Sequence, residues 1–232
     1  MTNTFDNPHA ANLVGLWDFL AGGESDDTGL DDGFAQNGAF VGGATASGGQ
    51  LQLNGDPDRF DVGGNDDPFD LAEGTLITEF TQEDNSRGIF QAVVNRGEFF
   101  DSASEGFFEI QVGQDGAVQV MHVSNGVTIV ESTGAGFAPV GDTIRATYEW
   151  SETEGGRFLV ENLTASTSFE VDTPAGVNFD IGDNDGTSFI FGVRENVDEI
   201  QEFNVISIST ARSIMSPSMT AKSAFPRQPR MV

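Results

Sequence analysis

Oxygen donors are the main chemistry this chain offers, and two stretches concentrate them. These are "ESDDTGLDDG", with Asp26, Asp27, Asp31 and Asp32, and "NFDIGDNDGTS", with Asp180, Asp183 and Asp185. A hard cation such as calcium takes roughly six to eight oxygens from carboxylates and carbonyls on a turn. Asp26, Asp27, Asp180, Asp183 and Asp185 are therefore the candidate metal ligands, with calcium the candidate cofactor. Neither stretch has the EF-hand spacing, because no Glu falls at the closing position. Asp and Asn also populate turns for backbone reasons, through Asx hydrogen bonds and tolerance of left-handed conformations, so turn chemistry accounts for the same residues.

Bond cleavage in a glycan needs two carboxylates across the scissile bond. Glu152 and Glu154 of "EWSETE" are the nearest approach, but "SETEGG" reads as a hairpin tip, and "VDEIQEF" lacks the required order. Nucleophilic triads have little to draw on: the histidines are His9, near the N-terminus, and His122, in an expected strand. Cysteine is absent, which removes disulfides, thiolate chemistry and Cys/His zinc sites. No catalytic residues are assigned, and the expectation is a protein that is not an enzyme. Sugar recognition instead calls for exposed aromatic platforms beside amides or carboxylates. Tyr148 and Trp150 are the candidate carbohydrate-binding residues, with Phe99, Phe100 and Phe107 as further rings flanking "DSASEG". The opposing reading buries such rings on a strand's inward face, and a chain with one Tyr and two Trp is poor in sugar-stacking residues.

The elements that must position these groups are strands. In "TIRATYEW", Ile144, Ala146, Tyr148 and Trp150 share one face and Thr143, Arg145, Thr147 and Glu149 the other. "FFEIQV" alternates likewise, with Phe108, Ile110 and Val112 inward and Glu109 and Gln111 outward. Asn125-Gly126 within "VQVMHVSNGVTIVES" predicts a type I′ hairpin pairing Ser124 with Val127 and His122 with Ile129. Further strands are expected over 13–20, 51–53, 60–63, 75–81, 88–95, 157–162, 167–171, 187–193 and 199–209, with a bulge or bend near Val205. Only "DPFDLAEG" suggests a helical turn. Frequent Gly, Asp and Asn between short strands are the pattern of an all-β sandwich.

With 232 residues, 38% hydrophobic content and 20 Phe, the chain can build one large core. Its net charge of −27 repels phosphate backbones, so nucleic acid and anionic membrane are poor partners. Residues 211–232 differ: they carry Arg212, Lys222, Arg227 and Arg230 with no acid, among Ser, Pro and Met. The expectation is a sandwich over 1–210 and a basic tail over 211–232, disordered or partner-bound. Arg212, Lys222, Phe225, Arg227 and Arg230 would anchor a protein partner. The opening "MTNTFDNPHAANL" lacks the basic and apolar regions of a signal peptide, and no stretch suits membrane insertion.

Three blocks resemble the concanavalin A-like lectin/glucanase superfamily, specifically its laminin-G-like jelly rolls. They are "LVGLWDF" with "DDTG" and "GGQLQLNGDPDRFDV"; then "DTIRATYEWSETEGGRFLVENLTAS"; then "FGVRENVDEIQEFNVISIST". The resemblance spans about residues 10–210 and implies a two-sheet antiparallel jelly-roll sandwich with Leu16, Trp17 and Phe19 as core or sheet residues. It also implies a rim where such domains often hold calcium. The family's glucanases use an E-x-D-x-(x)-E strand, from which "EWSETE" departs by lacking the central Asp. The expected function is non-catalytic binding of polysaccharide or a glycoconjugate, with or without calcium, in an extracellular, cell-surface or particle-surface setting. The alternative is a structural spike, fibre or decoration subunit of a phage-like particle or cell-surface layer, held by its tail. A glycan hydrolase or lyase comes third, and a homo-oligomer is compatible with each.

Overall fold

The computed structural model describes residues 15, 17, 19, 38–47, 49–54, 58–62, 69–85, 90–97, 106–181 and 189–192, and the backbone of 206–209. Among these residues, fourteen strands form two antiparallel sheets of seven. The first sheet runs, edge to edge, β1 (Gly38–Val41), β4 (Arg59–Val62), β13 (Ile190–Phe191), β6 (Phe90–Arg96), β7 (Phe107–Gly113), β8 (Val118–Ser124) and β9 (Val127–Ser132). The second runs β12 (Thr167–Thr173), β11 (Gly156–Asn162), β10 (Thr143–Ser151), β5 (Glu73–Gln82), β14 (Ile206–Ser209), β3 (Gln50–Gln52) and β2 (Thr45–Ser47). The fold is the all-β sandwich expected from strand spacing, in the two-sheet antiparallel jelly-roll form that the resemblance implies.

Alternation determines which side chains enter the core. In β10, Ile144, Ala146, Tyr148 and Trp150 are buried, and they face Phe108, Ile110 and Val112 of β7 across the sandwich in one apolar cluster. Each large apolar side chain so buried contributes about 1.5–3 kcal/mol relative to exposure. Trp17 and Phe19 join this core, as expected. Trp17 lies 5.6 Å from Phe191 and Phe19 5.2 Å from Phe60, centroid to centroid. Leu16 lies outside the described residues, as does most of the strand expected over 13–20.

The Asn125-Gly126 hairpin has the expected register, Ser124 opposite Val127 and His122 opposite Ile129. Its two turn residues have φ of 51° and 73°, the left-handed geometry a type I′ turn requires. Elsewhere the structure differs from expectation. β1 and β2 were not anticipated, because "GAFV" and "TAS" are too short and small-residued to show alternation. β6 carries a register shift between Ala92 and Val94, a bulge that breaks the simple alternation over 88–95. Glu109 and Gln111 of β7 point away from the core as expected, yet both are buried; Gln111 donates to Gln119 on the neighbouring strand. Of "DPFDLAEG", Phe69 has the 3₁₀ conformation, and residues 67 and 68 before it lie outside the described residues. The bend expected near Val205 lies outside the described residues. No helix among the described residues is long and apolar enough to cross a membrane.

Candidate functional site

One end of the sandwich gathers polar side chains that share a few anchors. The β10–β11 turn begins at Ser151, whose Oγ accepts from the backbone N–H groups of Thr153 and Glu154, both at 3.2 Å. The Glu152 N–H donates to the Ala72 carbonyl at 3.0 Å, which ties this turn to the start of β5. The exposed Glu152 carboxylate then receives two amides at Oε1, Asn178 Nδ2 at 2.6 Å and Asn125 Nδ2 at 3.1 Å. Asn125 belongs to the β8–β9 turn and Asn178 to the irregular segment 174–181, so three parts of the chain meet on one carboxylate. Ser124 completes the set, its Oγ accepting the Asn178 N–H at 2.9 Å.

Beneath this rim lies a buried polar layer. His122 Nε2 is 2.8 Å from the Asn178 carbonyl oxygen and its Nδ1 is 2.9 Å from the Tyr148 hydroxyl. A carbonyl oxygen only accepts, so Nε2 carries the proton and Nδ1 accepts from Tyr148. The pair is satisfied as a neutral imidazole and a neutral phenol. Burial holds the imidazole pKa down to about 3, against the Asn178 hydrogen bond, which raises it, and with the Arg96 charge, which lowers it further. Burial likewise pushes the Tyr148 phenol upward. Arg96 is 2% exposed, and its Nη1 donates to the carbonyls of Phe69 and Phe179 at 2.9 and 2.6 Å. Its Nη2 pairs with Asp70 at 2.5 Å. This guanidinium ties β6 to the segments on either side of the rim.

The two rings that the sequence offers foremost as exposed sugar platforms are buried. Tyr148 and Trp150 are 0% and 1% exposed, so neither is a stacking platform. Both are even-numbered residues of β10, whose even positions point between the sheets. The Tyr148 hydroxyl serves His122, and the Trp150 indole N–H donates to the Leu71 carbonyl at 3.0 Å. Phe107 is also buried, and Phe99 and Phe100 lie outside the described residues. Glu152 and Glu154 occupy a turn rather than one strand face, as the hairpin reading expected. Of the five expected metal ligands only Asp180 is described, and it is exposed; Asp26, Asp27, Asp183 and Asp185 lie outside, as do Arg212, Lys222, Phe225, Arg227 and Arg230. Among the described residues no three His, Cys, Asp or Glu side chains come together to hold a metal ion. The amides Asn125 and Asn178 were missed because each is an ordinary turn residue in sequence; only their convergence on Glu152 makes them a set.

The strand registers align described flanks of four acidic stretches at this same end. Gly38 pairs with Val62, whose N–H donates to the Phe189 carbonyl; Ile190 pairs with Asn95, Arg96 with Phe108, and Phe107 with Val123. Described flanks of the stretches 20–37, 63–68, 98–105 and 182–188 thus lie along one row. None of those stretches contains Lys, Arg or His, and each contains Asp or Glu.

No family model matches the chain, and no curated protein matches it in sequence. Solved structures do match. The botulinum neurotoxin serotype D binding domain superposes with a TM-score of 0.59 at 8% identity, over 91% of this chain and 50% of that one. The receptor binding domain of botulinum neurotoxin mosaic serotype C/D, with tetraethylene glycol bound, gives 0.58 at 10% identity, over 91% and 49%. The binding domain of botulinum neurotoxin DC in complex with SialylT gives 0.58 at 10% identity, over 89% and 49%. This chain spans about half the length of those chains. Likeness at such identity is a statement about fold, and the shared fold is an antiparallel β-sandwich.

Proposed function

We propose that this chain is a non-catalytic carbohydrate-binding module of the concanavalin A-like, laminin-G-like kind, which takes polysaccharide or glycoconjugate at the Asn125/Glu152/Asn178 rim. The observation that carries this reading is the Glu152 carboxylate held by two amides from separate parts of the chain. Such a carboxylate is oriented before any ligand arrives, so little side-chain freedom is lost on binding. Glu152 and Asn125 are exposed, so the carboxylate and the Asn125 amide oxygen can each accept from a sugar hydroxyl. An extracellular or surface setting accompanies the reading, in keeping with the receptor-binding role of the similar toxin domains. The absence of Lys, Arg and His from the four acidic stretches whose flanks reach this end favours neutral or ammonium-bearing sugars over anionic ones.

A glycan array that includes neutral, amino-sugar and sialylated ligands, probed with the wild type and Glu152→Ala, tests this. The expected result is wild-type binding to neutral or amino sugars. In Glu152→Ala the dissociation constant should rise about tenfold, the loss of one charge-assisted hydrogen bond, with the unfolding midpoint unchanged. No wild-type binding to any glycan, or equal binding by Glu152→Ala, would overturn the reading.

A further inference from the structure

His122 is a titratable group that glycan binding at the rim does not use, and burial among rings beside a guanidinium favours its neutral form. From β7 it meets Phe108 at 5.5 Å and from segment 174–181 it meets Phe179 at 4.7 Å, centroid to centroid. Opposite it on β9 stands Ile129. Among the described residues, the titratable and charged groups facing it are Tyr148 of β10 and Arg96 of β6. Among the described residues no carboxylate pairs with the ring. A proton on Nδ1 would therefore meet a positive neighbour and no counter-charge. It would also confront the Tyr148 hydroxyl, which now donates to that nitrogen and would have to turn about, leaving its own hydrogen unpaired in a dry pocket.

The groups over Nε2 belong to a segment outside both sheets. Segment 174–181 is held by the Gly176 N–H on the Ser151 carbonyl at 3.4 Å, the Phe179 N–H on the Leu71 carbonyl at 3.0 Å, and the Ser124 and Arg96 contacts given above. It covers His122 with Asn178 and Phe179, and it presents the Asn178 amide to Glu152. We propose that segment 174–181 is an acid-released strap: taking up a proton at His122 unseats it, and with it the Asn178 half of the Glu152 clasp.

The sign follows from the two states. With the strap open the imidazole is hydrated and titrates near its ordinary 6.5, whereas closed it titrates near 3. Closure is thus fully favoured above about pH 6.5 and weakens progressively as pH falls from there toward 3. The open population grows about 25-fold between about pH 7 and about pH 5, a window in which most carboxylates stay ionised.

Native-state hydrogen exchange on the full chain without ligand, corrected for intrinsic rates, measures this. Its outcome stands apart from that of the glycan reading. The amides of Asn178 and Phe179 should lose about 25-fold of their protection between those two pH values. They should exchange faster than Val160 of β11 at both, and His122→Gln should abolish the pH dependence. Equal protection at the two pH values would overturn the strap. So would exchange of Asn178 and Phe179 only in step with Val160, which would mean opening by global unfolding. Should His122→Gln fail to fold, the ring-nitrogen spectrum of the wild type decides the same point. A neutral Nε2–H ring at about pH 5 supports the proposal, and an imidazolium in the closed state at that pH overturns it.

Discussion

Tyr148 and His122 show how much one hydrogen bond can matter when both partners are dry. The phenol O–H is the donor to Nδ1, and the ring nitrogen has no water to replace it. Tyr148→Phe keeps the ring stacking with Trp150 and Phe108 but leaves a buried acceptor unpaired, at a cost of about 1–3 kcal/mol. Urea titration should show that loss as a lower midpoint at unchanged slope, and an unchanged midpoint would mean the bond contributes nothing net. Alternation in "TIRATYEW" already assigned Tyr148 and Trp150 to one face, and the inward reading was the right one. Which face is inward, and that a histidine two strands away would claim the phenol, depend on the other sheet.

At the scale of elements, turn chemistry was the most legible signal. Asn125-Gly126 gave the β8–β9 register residue by residue, because only a few backbone geometries connect two strands in two residues. The β10–β11 turn is closed instead by crowding. A Cβ on Gly156 would collide with the Glu149 carbonyl, whereas one on Gly134 would meet open space. Gly156→Ala should therefore cost about 1–3 kcal/mol, and Gly134→Ala should stay within about 0.5 kcal/mol, compared by thermal or urea unfolding. Equal effects would show that the hairpin relaxes around the methyl group. The outer face of the same strands carries Arg157 between Glu149 at 2.8 Å and Glu170 at 3.5 Å, and Arg145 between Glu79 at 2.6 Å and Glu161 at 3.6 Å. The Glu149 hydrogen bond raises the proton affinity of Arg157. Such half-exposed pairs set cross-strand register more than they add stability. Short strands such as β1 and β2, and the β6 bulge, left no such mark, since three or four residues do not establish a period.

For the whole molecule, a net charge of −27 over 232 residues makes self-repulsion a general term in stability. Raising sodium chloride from about 0.01 M to about 1 M shortens the screening length from about 30 to about 3 Å, and the unfolding midpoint should rise. Calcium that raises it further than magnesium at matched ionic strength would show a specific site, and a flat response to salt would show that the charges are already compensated. By itself the sequence determined that this is an all-β sandwich, that the strands flanking Asn125-Gly126 pair as a hairpin and that the chain is acidic, because these depend on local period, turn type and composition. The tertiary structure alone decided that Asn125, Glu152 and Asn178 share one point and that His122 lies sealed beneath them. It also decided that flanks of several acidic stretches reach the same end. Those are contacts between residues as far apart as Val62 and Phe189, and no local rule of period or turn can see across a sandwich.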